Sequence, residues 1–168
     1  MLVNVYGSKE LFVNEYRTIL ADRLLAQLSC DIQKELRYLE LLKLRFGDSQ
    51  LHYCEVMLKD IAESKRINQH IKQDVDYFEK EVPMSAMILS AQFWPTFKEE
   101  KCELHEEINL QMKEYTKAFE ALKGNRTLCW KKHLGLVDIE VELPDRTLNV
   151  TNVSPAHATI LMHFQDKS

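Results

Sequence analysis

Glycine and proline are scarce in this chain, four of each among 168 residues. So few turn formers exclude a collagen-like repeat, a Gly- or Pro-rich linker and a low-complexity disordered segment. Long apolar runs are missing as well, and no stretch approaches the ~20 consecutive apolar residues of a membrane span. Nor is there an excess of positive charge. The 22 basic residues face 26 acidic ones, and neither half of the chain is basic. A surface that tracks phosphates needs a basic face, so nucleic acid is not an expected partner, and neither is a membrane. No Gly-rich phosphate loop occurs, and no Ser or Cys sits at a nucleophile turn. The four cysteines, Cys30, Cys54, Cys102 and Cys129, are widely spread inside apolar patterns. They read as reduced, buried thiols of an intracellular protein of nucleus and cytoplasm rather than as a disulfide framework. Three Asn-x-Ser/Thr triplets, at Asn125, Asn149 and Asn152, read as turn and strand-end composition.

What is present is helical periodicity first and alternation later. Ser8 is a good N-cap. Leu11, Phe12, Tyr16, Ile19, Leu20, Arg23 and Leu24 then recur at three- and four-residue intervals, to about Leu28. Asp31 is placed to cap a second helix carrying Ile32, Leu36, Leu39, Leu42 and Phe46, which Gly47 ends. A third helix is expected from about Ser49, carrying Leu51, Cys54, Met57, Leu58, Ile61 and on to Ile71. Short connections imply antiparallel packing. The charged stretch from Lys72 to Pro83 reads as a boundary. After it, "MSAMILSAQFW" is expected to form a buried strand over 84–90, closed by Trp94-Pro95. Ile108, Met112, Tyr115, Phe119 and Leu122 make an amphipathic stripe that Gly124-Asn125 stops.

The period then changes to two. Leu128 and Trp130 alternate in one expected strand, Val137, Ile139, Val141 and Leu143 in the next, and Leu148 and Val150 in a third after Pro144-Asp145. Lys131 and Lys132 are expected near Asp138 and Glu140. Ser154-Pro155 opens a last helix through Ala158, Leu161 and Phe164. The fold class is therefore α+β: an antiparallel helical bundle over 1–82, then a small α/β subdomain over 83–168. The latter holds a three- to four-stranded sheet and two helices.

Candidate chemistry is thin. Cys102-x-x-His105 and Cys129-x-x-x-His133 have spacings that suit zinc, but neither sits on a compact knuckle. A buried cysteine and a surface histidine explain each pair more simply. Glu99-Glu100 and Glu106-Glu107 read as solvated helix faces rather than catalytic carboxylates. No catalytic residue, metal or cofactor is expected, and a binding module is the reading these residues favour.

Several stretches together resemble the cullin homology region. In "SKELFVNEYRTILADRLL" the matching positions are Lys9, Glu10, Phe12, Tyr16, Leu20, Ala21, Arg23, Leu24 and Leu25. "ELLKLRFG" and "CEVMLKDIAES" are similar to the next two helices, with Lys43, Gly47, Met57 and Asp60 at familiar places. "ILSAQFWP", "RTLCWKKHLG" and "ATILMHFQD" complete the likeness, with His157 standing where a Gln is usual and "NVTNVSP" for a shorter approach. The wording of "FVNEYR", "EVMLKD", "FWPTFK" and "HFQD" is most similar to a cullin-like scaffold of the cell-division cycle. The repeats such proteins carry upstream and the winged helices downstream are not in this sequence, so a piece of a longer chain is expected.

The resemblance implies a non-catalytic scaffold of a multi-subunit RING-type ubiquitin ligase. It implies, as partners, a RING-finger subunit, the other subunits of such a ligase and, indirectly, a ubiquitin-conjugating enzyme. The small sheet would accept a strand from the RING subunit, with Leu89, Trp94, Leu128, Trp130, Val137, Ile139 and Val141 as its binding residues. The alternatives are the same segment of an ordinary cullin and, from another class, a zinc module or metalloenzyme on the Cys/His pairs.

Overall fold

The computed structural model describes residues 8–26, 32–73 and 84–165. The expected end of the first helix at Leu28, the Asp31 cap, Cys30 and most of the boundary after Lys72 lie outside them. Two compact units divide the chain, one of residues 1–73 with 85–97, the other of 74–84 with 98–168.

The first unit is built on three helices: α1 (Lys9–Ala26), α2 (Ile32–Phe46) and α3 (Asp48–Gln73). Ser8 caps α1 as expected, its Oγ accepting from Leu11 N–H at 3.5 Å. Gly47 alone joins α2 to α3. Its φ of +89° is left-handed, and its N–H donates to Lys43 O at 2.8 Å. A side chain there would be strained, which is why glycine ends this helix. α3 packs against both α1 and α2. Leu20, Leu24, Leu39, Leu51, Cys54, Met57 and Leu58 form the fully buried heart of the unit. Arg23 reaches Glu35, itself buried, at 3.1 Å.

Residues 84–90 are not a strand, contrary to the sequence reading, and residues 85–97 belong with the helices. Their main-chain groups bond to side chains of α3 instead of to a sheet. Asn68 Nδ2 donates to Ala86 O at 2.8 Å, while Ala86 N–H donates to Asn68 Oδ1 at 2.9 Å. Ser64 Oγ accepts from Ile88 N–H at 2.8 Å and lies 3.0 Å from Ile88 O. Asp60 accepts from Ser90 N–H (2.8 Å), Ser90 Oγ (2.9 Å) and Trp94 Nε1 (2.9 Å). Residues 60, 64 and 68 share one face of a helix, so three polar side chains serve alternate residues 90, 88 and 86. The apolar run that suggested a strand is bonded instead to side chains of α3. The apolar side chains of Met87, Leu89, Phe93 and Trp94 meanwhile pack on the helical core.

The second unit holds α4 (Glu106–Leu122), a single 3₁₀ turn (Lys132–Leu134), strands β1 (Val137–Glu142) and β2 (Thr147–Val153), and α5 (Pro155–Gln165). Its core joins Leu104, Ile108 and Met112 to Ala158, with Met84, Cys102, Trp130, Val137, Ile139, Val153 and Met162 packed around. The N-terminus of α4 is capped by His105, whose Nδ1 accepts from Glu107 N–H at 3.4 Å. Ser154 caps α5, as read, accepting from His157 N–H. Gly135 approaches Pro155 so closely that an added Cβ would lie 3.3 Å from Pro155 Cγ.

The sheet has two strands among the described residues, β1 antiparallel to β2, not three or four. Leu128 and Trp130 are outside it. Trp130 Nε1 donates to Thr116 Oγ1 at 2.9 Å, and its ring meets Tyr115 edge-on at 5.8 Å. Residues 126–131 are thus anchored to a helix with no ladder of their own.

Candidate functional site

The hairpin of β1 and β2 is the feature of the second unit with capacity to spare. Opposite pairs run Glu142 with Thr147, Val141 with Leu148, Glu140 with Asn149 and Ile139 with Val150. The register then shifts, and Val137 faces Val153. One residue of β1 stands against two of β2, so β2 is bulged. Asn152 takes the left-handed conformation at φ 58°, and its N–H donates to Asp138 Oδ1 at 2.8 Å. Asn is among the few side chains that enter this region readily.

Alternation gives the hairpin two unlike faces. Val137, Ile139, Val141, Val150 and Val153 are half-buried, and the first two and the last join the core. Past them the cover fails. Val141 is half-buried, while Leu143 and Leu148 are 38% and 39% exposed. Asp138, Glu140 and Glu142 lie on the other, exposed face, where Asp138 also accepts from Asn152 N–H. Among the described residues, both strands have an edge without a strand partner. An unpaired edge beside an uncovered apolar patch is a template for strand addition.

The structure distributes the seven expected binding residues between two units. Trp130, Val137 and Ile139 meet in the second core, with Leu128 and Val141 half-buried on the same unit. Leu89 and Trp94 pack in the helical unit, Trp94 only 3% exposed with its indole N–H spent on Asp60. Lys131 and Lys132 do not approach Asp138 and Glu140. Lys131 Nζ pairs with Glu99 Oε1 at 2.8 Å and Lys132 Nζ donates to Asn109 Oδ1 at 3.1 Å. The hydrogen bond from Lys131 holds the Glu99 carboxyl below its usual range, and Glu99 in turn raises the Lys131 ammonium. Because Leu128–Trp130 is not a strand, its lysines follow the course of the loop rather than a cross-strand register.

The cysteine reading also needs correction. Cys54 is buried, but Cys102 is half-exposed and Cys129 exposed. Burial pushes the Cys54 thiol up to about 11. Among the described residues no group of three or more His, Cys, Asp or Glu is placed to hold a metal.

Sequence reasoning missed the Asp60–Ser64–Asn68 row. Its signal was present, as three short polar side chains four apart on the otherwise apolar side of α3.

Residues 88–168 match the family model described as the cullin alpha+beta domain. Across 172 aligned positions the chain is 52% identical to "Anaphase-promoting complex subunit 2" of Homo sapiens, taking in 100% of this chain and 21% of that relative. It is 36% identical over 167 positions to the protein of the same name from Schizosaccharomyces pombe, covering 99% of this chain and 24% of the relative. Against "Cullin-3" of Schizosaccharomyces pombe the identity is 28% over 170 positions, with 98% and 22% covered. The chain spans about a fifth of the length of the curated relatives it matches.

Proposed function

We propose that this chain, whose residues 88–168 match the cullin alpha+beta domain, is part of the cullin-like scaffold subunit of an anaphase-promoting-complex type of ubiquitin ligase. In this reading it acts with the other subunits of that complex, in nucleus and cytoplasm. It takes no part in bond chemistry itself. Its second unit holds a RING-finger subunit by accepting a strand, and the RING holds a ubiquitin-conjugating enzyme near mitotic substrates. The contribution to rate is then proximity, since a tethered donor reacts at high effective concentration.

One observation carries the reading: among the described residues, a two-stranded sheet with unpaired edges, whose apolar face is better covered at the Val137 end than at Leu143 and Leu148. A hairpin alone is marginal in water, and a third strand supplies both hydrogen bonds and cover. The identity of 52% to an anaphase-promoting complex subunit against 28% to a cullin supports this ligase over an ordinary cullin.

The test is capture of a RING-finger subunit through its N-terminal arm, with Ile139→Asp and Trp130→Ala as probes. Ile139→Asp sets an unpaired carboxylate under the incoming strand, at a cost of several kcal/mol, roughly 2–7 by the transfer of a polar group. Binding should be lost while the helices of the first unit persist by circular dichroism. If both variants capture the RING subunit at wild-type strength, the docking surface lies elsewhere.

A further inference from the structure

We infer that a cavity between α1 and α3 of the first unit receives a carboxylate, the side chain of an aspartate or glutamate on a partner protein. Arg17 is the residue that reads it. The site lies in a different unit from the hairpin and does not depend on strand addition.

The cavity has a volume of about 320 Å³, and Asn14 and Arg17 of α1 line it together with Ser49, Gln50 and Tyr53 of α3. Arg17 is held in place without being paired. Its guanidinium lies over the Tyr53 ring, 4.9 Å from the centroid, within cation–π range. Tyr53 is steadied in turn by Phe93, whose ring meets it edge-on at 5.3 Å. Arg17 Nε is buried and, among the described residues, meets no acceptor. Nor does any described carboxylate come within ion-pair distance of Arg17. Arg23 on the same helix, by contrast, has Glu35 at 3.1 Å. A buried donor without an acceptor is costly to a fold, so an acceptor is due here. A stacked guanidinium presents a fixed planar fork of N–H groups, and a carboxylate matches that fork with two parallel hydrogen bonds.

The surroundings select the occupant. Pockets for small molecules are mostly apolar and enclose their ligand. Here the lining is mostly polar, and Tyr53 remains 45% exposed. That suits a single side chain carried on a larger body. Glu10 then sets the charge. It lines the same cavity seven residues before Arg17, about 10.5 Å along the helix. A negative charge already in the cavity favours a singly charged carboxylate over a doubly charged phosphate.

The 168-residue chain is titrated at low salt with blocked amino acids, the N-acetyl N-methylamides of glutamate, glutamine and phosphoserine. Binding is followed by NMR, through the Arg17 Nε–H signal and the backbone amides of Ser49, Gln50 and Tyr53. The glutamate probe should bind at least about tenfold more tightly than the glutamine probe, because charge-assisted hydrogen bonds are roughly twice as strong as neutral ones. Arg17→Lys keeps the charge but loses the fork, and should weaken binding severalfold. Glu10→Gln, at an exposed position, should strengthen it. Equal responses to glutamate and glutamine would overturn the carboxylate reading. Tighter binding of the phosphoserine probe would overturn the choice of ligand class. Shifts that leave the Arg17 Nε–H unmoved would overturn the site. Should Arg17→Lys fail to fold, Glu10→Gln still decides: unchanged affinity for the glutamate probe would mean that this cavity does not hold it.

Discussion

Asp60 accepts three hydrogen bonds from a segment thirty residues further along the chain. Removing its carboxylate leaves the Ser90 N–H, the Ser90 hydroxyl and the Trp94 indole N–H to find other acceptors. Asp60→Ala should therefore cost roughly 3 kcal/mol, since each unsatisfied donor carries a penalty of about 1–3 kcal/mol when buried and these are only partly so. Urea denaturation measures it, and Asp60→Asn should lose about half as much because one oxygen remains. Two further side chains in the same unit set an alkaline limit. Burial first, then the charges of Glu35 and Cys54, raises Tyr16 from 10.0 to about 12. Burial likewise raises Cys54 from 9.0 to about 11, against the opposing charge of Arg17. Both groups are held neutral by the fold, so the unfolded chain ionises first. The stability they contribute is complete below pH 9 and lost as pH rises from about 9 to about 12. Denaturant midpoints measured across that range should fall. Cys54→Ala with Tyr16→Phe should flatten the decline.

At the scale of the element, helices were the more legible part of the sequence. Ser8, Gly47 and Ser154 each stand where a cap or stop was read, because capping is local chemistry written in one or two residues. Strands were less legible. Residues 84–90 form a short apolar run, and Leu128 and Trp130 alternate, yet either pattern records only which side chains are buried, not what satisfies the main chain. In the first case α3 supplies the partners, and in the second Thr116 and Tyr115 draw Trp130 onto α4. Tertiary contacts of that kind lie beyond any local pattern. The β1–β2 hairpin was read correctly, although its bulge was not. That bulge depends on Asn152 and Asp138, and its chemistry suggests a graded series. Asn152→Gly should be nearly neutral, whereas Asn152→Val should cost about 1–3 kcal/mol for a β-branched residue held left-handed. Asp138→Ala should cost about 1 kcal/mol by freeing the Asn152 N–H. Thermal melts would rank the three.

At the scale of the whole molecule, the chain holds two cores, each with its own buried residues. Damage to one should not melt the other. Trp130 is half-buried, so Trp130→Ala should cost about 2–3 kcal/mol, less than the ~3–5 kcal/mol of a fully buried aromatic. Amide exchange should quicken around α4 and β1 and stay unchanged in α1–α3. Uniform loss of protection would mean that the two units unfold together. The expected boundary near Pro83 was read from charge and proline. The structure instead returns residues 85–97 to the helices, because side chains of α3 complete their hydrogen bonds.

The row of Asp60, Ser64 and Asn68 behaves as a vernier. Four residues of α-helix advance about 6.0 Å, and two residues of extended chain about 6.6 Å, so neighbouring rungs slip by only about 0.6 Å. Over the three rungs the slip reaches about 1.2 Å, which side-chain rotation absorbs; a much longer row would run out of phase. The two scales also fix what lengths are admissible. Deleting one residue between Ala86 and Ser90 puts the chain on one side of the deletion out of phase, so the apolar side chains there face the wrong way and the rungs on that side are lost. Deleting two preserves the sides and loses a single rung. Segment length here is quantised in pairs.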